Sequence, residues 1–200
     1  MSANKKQTAS QAGEKCLATS IFEYFEMLVF AAIAVILLMT FAFRLCVVKG
    51  GSMNNTLLNG ERLLVSDIFY TPEQGDIIVF HQTSDTEWLN EPIVKRVIAT
   101  EGQYVKLDYD RDKVYVSDDE VFTEDEMLDE SGYAFFEGGH WVGSSTRTYQ
   151  VPEGHVFVLG DNRNNSVDSS DPRISFVDTR RILGKVLCRI TPLSKFGPVS

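Results

Sequence analysis

From Met27 to Phe43 every residue except Thr40 is apolar, and this is the only stretch of the 200-residue chain apolar enough to cross a membrane. Continued through Arg44 to Val48, it reaches the roughly 20 residues that a helix needs to span the hydrocarbon core. Residues 27–48 are therefore predicted to form one transmembrane helix, with Arg44 snorkelling to the interface. A cleaved signal peptide would have a shorter apolar region ending in a small-x-small site, whereas this one ends Phe41-Ala42-Phe43-Arg44-Leu45. Residues 1–26 are expected to be a disordered tail, because the first 20 are polar, rich in Ser, Ala, Lys and Gln, and without periodicity. Lys5, Lys6 and Lys15 precede the span and Arg44 and Lys49 follow it, a charge bias that favours a cytoplasmic N-terminus only slightly.

Past Leu57 the character changes. Short β-branched and aromatic runs, bounded by Gly, Pro, Asp or Asn, predict strands at Arg62–Val65, Asp76–His81, Ile93–Ala99, Tyr104–Tyr109, Lys113–Val116, Val156–Leu159 and Ile182–Ile190. No long amphipathic helix separates them, so the crossovers that parallel strands require are missing. The expected architecture is mainly β: antiparallel sheets around one core in residues 49–107 and 151–192, preceded by the single N-terminal helix. Residues 108–150 stand apart as a small inserted β subdomain, with twelve acidic residues between Asp108 and Glu137. Asp108-x-Asp110-x-Asp112 has the opening spacing of a calcium loop, but Lys113 occupies the position where such a loop needs Gly, so a plain hairpin turn is expected and no metal.

The net charge of −9 argues against a nucleic-acid partner, which would call for clustered Lys and Arg. Cys16, Cys46 and Cys188 match neither a metal-ligand spacing nor a disulfide framework. The three histidines, His81, His140 and His155, have no motif around them that would mark a Ser-His-Asp base.

Three stretches do carry chemistry. Lys49-Gly50-Gly51-Ser52-Met53-Asn54-Asn55-Thr56-Leu57 places a serine just beyond the membrane, after two glycines that allow positive φ and leave the hydroxyl uncovered. In Ile93-Val94-Lys95-Arg96-Val97-Ile98, strand alternation puts Lys95 with Ile93 and Val97 on one face and Arg96 with Val94 and Ile98 on the other, so at least one cation lies against apolar neighbours. Only lysine can lose its proton there, since burial lowers an amine pKa by as much as roughly 3 to 5 units. Gly160-Asp161-Asn162-Arg163-Asn164-Asn165-Ser166-Val167-Asp168-Ser169 is a dense polar loop able to aim such an amine. Taken one at a time, each has a plain alternative: a loop leaving an anchor, an edge strand guarded by cations, a solvated surface loop.

Together, and in order, Gly51-Ser52-Met53 with Thr56-Leu57, Gly75-Asp76-Ile77-Ile78-Val79-Phe80, Val94-Lys95-Arg96, and Gly160-Asp161-Asn162-Arg163 through Ser166 and Asp168 resemble the type I signal peptidase family, from the anchor to about Ile190. The resemblance implies a single-pass Ser/Lys endopeptidase of the bacterial cytoplasmic membrane. Its N-terminus would be cytoplasmic and its β-rich domain on the outer face, removing signal peptides from exported preproteins without a cofactor or an obligatory protein partner. On that pattern Ser52 is the nucleophile, Lys95 the general base, Ser166 the group that orients the amine, Asp168 a support of the loop, and the Ser52 N–H an oxyanion donor. Gly50 stands where some members carry a hydroxyl donor. Substrate would add as a strand between residues 46–50 and 92–94, with Val48, Met53, Ile93 and Val94 shaping small apolar pockets.

Two departures matter. Asn55 replaces the proline that many members have before Thr-Leu, so the turn loses a fixed φ. Ser170 replaces an arginine that pairs with the loop aspartate, leaving Arg163 or Arg173 as the expected substitutes. The competing readings are a non-enzymatic membrane-anchored β module, against which the presence of both Ser52 and Lys95 counts, and a self-cleaving Ser/Lys repressor, against which the anchor counts.

Overall fold

The computed structural model describes residues 22–37, 39–40, 42–82, 91–143 and 145–199. The chain divides into two compact units, one ending at Ala42 and one running from Phe43. In the first, residues 22–37 are helical, as are 39, 40 and 42. Leu, Met and Ala are strong helix formers, and Thr40 satisfies its hydroxyl by donating to the Ile36 carbonyl at 2.7 Å. Residues 22–26, expected in the tail, belong to this helix, while residues 1–21 of that tail lie outside the described residues. Phe22, Tyr24, Phe25, Met27, Leu28 and Phe30 are all exposed. Among the described residues no helix is both long and apolar enough to cross a membrane.

The helix does not continue through Val48. Arg44–Val47 is strand β1, paired antiparallel with β2 (Arg62–Ser66), Cys46 opposite Leu63. Apolarity alone does not distinguish a helix from a strand over four residues; what decides is that pairing to β2 places Cys46 and Val48 against the cluster of Met53, Leu57, Leu63 and Val65. Arg44 therefore lies in a strand rather than at the end of the helix, and its guanidinium donates to the Leu183 carbonyl at 3.0 Å and to Asp67 at 3.1 Å.

The second unit is mainly β and antiparallel, as expected. The remaining strands are β3 (Ile77–His81), β4 (Pro92–Ala99), β5 (Tyr104–Asp108), β6 (Lys113–Ser117), β7 (Arg147–Gln150), β8 (His155–Leu159), β9 (Val177–Asp178) and β10 (Ile182–Thr191). They form a seven-stranded sheet, β1-β2-β10-β3-β4-β8-β9, and a three-stranded sheet, β6-β5-β7. The smaller sheet begins at Tyr104, earlier than the boundary read at residue 108, because β5 is its middle strand. Nor is it a separate body: Val105, Leu107, Val114 and Val116 share one apolar cluster with Ile98, Phe157 and Leu159 of the large sheet. Burying that face against β4 and β8 is what makes a three-stranded sheet stable.

Asp108 and Lys113 face each other at the β5–β6 hairpin, so the run of alternating aspartates is a turn. Asp108 accepts from the Arg111 N–H at 3.1 Å, and Asp112 accepts from the Trp141 N–H at 2.6 Å and contacts His140 at 2.8 Å. Cys46 and Cys188 are free thiols.

Candidate active site

The segment between β1 and β2 carries Ser52. Gly50 takes φ +82°, where a side chain would be strained, and gives its N–H to Asn59 Oδ1 at 3.0 Å. Gly51 does not need positive φ. The turn is closed by Asn54 N–H to the Gly51 carbonyl at 3.1 Å and Leu57 N–H to the Met53 carbonyl at 2.8 Å, with Met53 and Leu57 buried beneath it. Proline is absent before Thr56, yet the turn is held: Thr56 Oγ1 donates to Asp161 Oδ2 at 2.5 Å, and Arg189 of β10 donates to the Thr56 carbonyl at 2.6 Å.

β4 carries Lys95, 3% exposed, with its Nζ 2.7 Å from Ser52 Oγ. Burial lowers the amine from its usual 10.5 to about 8, against the opposing pull of the Asp168 and Asp161 carboxylates, which favour the charged form. Arg96 is buried to the same 3%, on the opposite face, and cannot deprotonate. It is instead neutralised by Asp161, through Nε to Oδ1 at 2.9 Å and Nη2 to Oδ2 at 2.8 Å, and it lies 4.0 Å from the centre of the Tyr133 ring.

The polar loop after β8 closes the site from the third side. Gly160 lacks the Cβ that would fall 2.2 Å from Ser166 Oγ and 2.6 Å from the Ser52 carbonyl oxygen, so only glycine lets those two groups share that space. Asn162 donates its N–H to the Ser52 carbonyl at 3.0 Å and its side-chain amide to the Gly51 carbonyl at 3.1 Å. Asp168 accepts from the Gly160 N–H at 3.2 Å and from the Ser170 hydroxyl at 2.8 Å. Ser170 thus partners Asp168 directly, and the expected substitutes are engaged elsewhere, Arg163 with Glu130 and Arg173 with Asp171. Ser166 Oγ is buried and, among the described residues, without a hydrogen-bond partner, so the expected bond to Lys95 is not made in the free chain.

A cleft of about 280 Å³ opens onto this arrangement, and it is lined by Val48, Gly50, Ser52, Met53, Ile93, Val94 and Lys95 among others. All four expected pocket residues are therefore in its wall. A larger cleft of about 570 Å³ lies elsewhere, between residues that include Tyr70, Glu101, His155 and Arg180, and holds no serine. Because chemistry needs a nucleophile and a base in reach of one another, the cleft at Ser52 and Lys95 is the candidate site.

Sequence reasoning missed the roles of Asp161 and Glu130, the acids that neutralise Arg96 and Arg163. A signal existed for the first: a cation inside an apolar strand demands a carboxylate, and the polar loop offers few. For Glu130 there was none, since it is one acid among twelve.

Residues 21–191 match the family described as signal peptidase, peptidase S26. The probable signal peptidase I-1 of Synechocystis sp. is 33% identical over 184 residues, covering 88% of this chain and 86% of that protein. Signal peptidase IB of Staphylococcus aureus is 34% identical over 158 residues, 74% of this chain and 78% of the other. A crystal structure of a signal peptidase I from Enterococcus faecalis is 26% identical, with a TM-score of 0.40, and covers 58% of this chain and 97% of that one. With the Ser52 hydroxyl and the buried Lys95 amine in contact at the motifs that carry the likeness, and residues 21–191 matched, the chain belongs to the signal peptidase family, peptidase S26.

Proposed function

We propose that this chain removes N-terminal signal peptides from exported preproteins by Ser/Lys catalysis, and the observation that carries the reading is the 2.7 Å approach of the buried Lys95 amine to Ser52 Oγ. Neutral Lys95 accepts the hydroxyl proton as Oγ attacks the scissile carbonyl, then returns it to the leaving amine. The acyl-enzyme ester on Ser52 is hydrolysed by water that Lys95 deprotonates in turn. The Ser52 N–H has no partner among the described residues, which leaves it free to donate to the developing oxyanion. Gly50 has already given its N–H to Asn59 and serves by its backbone conformation instead. Ser166 is assigned the orienting role: its buried, unpartnered hydroxyl shares a contact point with the Ser52 carbonyl.

β4 pairs with β8 only from Arg96 onward, so among the described residues the edge at Pro92–Lys95 on that side is open to an added strand. An extended preprotein segment laid there would be held by its backbone, with Val48, Met53, Ile93 and Val94 meeting its side chains. The membrane span is assigned to the apolar run Met27–Phe43, whose helical residues expose large apolar side chains. That anchor would place the β domain on the outer face of the cytoplasmic membrane, with the lipid bilayer and the emerging preprotein as its only required partners.

The test is cleavage of a preprotein by the full chain in detergent micelles. Wild type is expected to release a mature protein with a new N-terminus at the signal-peptide junction, and Ser52→Ala to release none. An intact preprotein with folded wild type overturns the reading.

A further inference from the structure

The acidic segment is tied to the nucleophile loop through buried charge. Glu130 and Arg163 are both buried and form a two-pronged pair, Arg163 Nη1 donating to Glu130 Oε2 at 3.0 Å and Nη2 to Oε1. The Nε of the same guanidinium donates to the Gly160 carbonyl at 3.2 Å, and Trp141 covers it at 5.0 Å. Beside it the backbones join: Phe135 N–H donates to the Asp161 carbonyl at 2.7 Å and Arg163 N–H to the Phe135 carbonyl at 2.9 Å. Asp161 and Arg163 are thus each bonded to residues 130–135, and between them stands Asn162.

Asn162 holds the carbonyls on either side of the Ser52 nitrogen, that of Gly51 at 3.1 Å and that of Ser52 at 3.0 Å. In a trans peptide the N–H points opposite to the C=O. Binding the Gly51 carbonyl therefore aims the Ser52 N–H away from Asn162, and any movement of Asn162 turns that donor. A buried ion pair is weak evidence for stability, since an apolar pair of similar volume often does as well. What the forked geometry supplies is orientation.

We propose that Glu130 is a positioning residue for Ser52, acting through Arg163 and Asn162 to hold the nucleophile's peptide group in its reactive direction. The proposal rests on the Ser52/Lys95 reading given above. It also gives the acidic segment a role, that of bracing the site from outside.

The test compares full-length wild type, Glu130→Gln, Arg163→Met and the double variant. Steady-state cleavage of a preprotein is read together with the 13Cε shift of Lys95 against pH in lysine-labelled protein, and with the melting temperature. Each single variant is expected to lower kcat roughly 10- to 100-fold with KM within about twofold, as a misplacement of about 1 Å would do, and the double to be no worse than the singles. Charged or titratable groups around Arg163 are Glu130, Tyr133 and Asp168, and around Lys95 they are Asp161 and Asp168. With Glu130 neutralised, the uncompensated Arg163 cation draws on Asp168, so the Lys95 midpoint falls in Glu130→Gln. That shift follows from the change of charge alone, so the positioning role is read from kcat falling at near-constant KM and melting temperature, which a merely structural role does not produce. Full kcat in Glu130→Gln, or a loss that tracks the folded fraction, overturns the proposal. If wild type cleaves no preprotein while the midpoint still falls, the proposed function fails and only the charge link between Glu130 and Lys95 stands.

Discussion

Lys95 shows how one side chain's surroundings set the chemistry. A solvated lysine near 10.4 is neutral in about one molecule in 2,500 at pH 7. At about 8, where burial holds Lys95, roughly one in eleven is neutral, a gain of about 200-fold in base. On the proposed mechanism the neutral amine is the working form, so kcat/KM should climb with pH up to about 8 and level off above it, which a pH–rate profile measures. The stability effect has a definite sign. Between about 8 and 10.5 the unfolded chain binds the proton and the folded one does not, so stability rises with pH across that window and is lowest, for this group, below 8. Lys95→Met should accordingly melt higher than wild type at pH 7, with the difference shrinking as pH approaches 10.5. It should also be inactive. So should Lys95→Arg, which keeps the charge but cannot shed its proton. Ser52→Ala combined with Lys95→Met should be hardly worse than either alone, because nucleophile and base act as one unit. An active Lys95→Arg enzyme in a single-turnover assay would end the Ser/Lys mechanism. The lysine was visible in the sequence because a cation within Ile93–Ile98 has no harmless place. Its contact with Ser52, 43 positions away, was not, since strand alternation says which face a residue takes and nothing about what is folded over that face.

The polar loop between β8 and β9 carries more of the site than its side chains suggest. Its opening glycine is a packing requirement rather than a hinge: a methyl at Gly160 would overlap both Ser166 Oγ and the Ser52 carbonyl. Gly160→Ala should therefore reduce kcat severely and lower stability by about 1–3 kcal/mol, the usual cost of overfilling a packed position. Parallel thermal melts and cleavage rates would show it, and a fully active Gly160→Ala would mean that the loop yields without disturbing Ser52. On the opposite wall, Val48, Ile93 and Val94 belong to strands or their ends and line a cleft of only about 280 Å³. Preproteins with Ala at the first and third positions before the cut should be processed, and those with Phe at the first should not. Equal rates for Ala and Phe in a competition assay would rule out shallow pockets. Among the strands, the seven read from β-branched runs all form. β1, β7 and β9 were missed for different reasons: β1 continues an apolar run already explained as helix, β7 (Arg147–Gln150) is polar, and β9 is two residues long. Pairing to a neighbour made each of them a strand.

The assembled chain joins a helical unit to a β unit, and its orientation follows from the proposed function: the catalytic domain must meet preproteins where they emerge. Protease added to intact spheroplasts should digest the domain from Lys49 onward while the N-terminal tail survives until lysis; the reverse pattern would place the site on the wrong side. Composition and hydrophobic pattern were enough to establish a mainly antiparallel β chain behind one long apolar segment, because strand period and turn residues are local properties that survive without knowledge of partners. The motifs were enough to nominate Ser52 and Lys95, since nucleophile and base chemistry are written in residue type. Where the helix yields to β1 near Arg44, which acid neutralises Arg96, that Ser170 partners Asp168, and that Glu130 reaches Arg163 were left to tertiary structure. Each depends on a contact between distant residues, and desolvation, pairing and steric exclusion act on neighbours in space rather than in sequence.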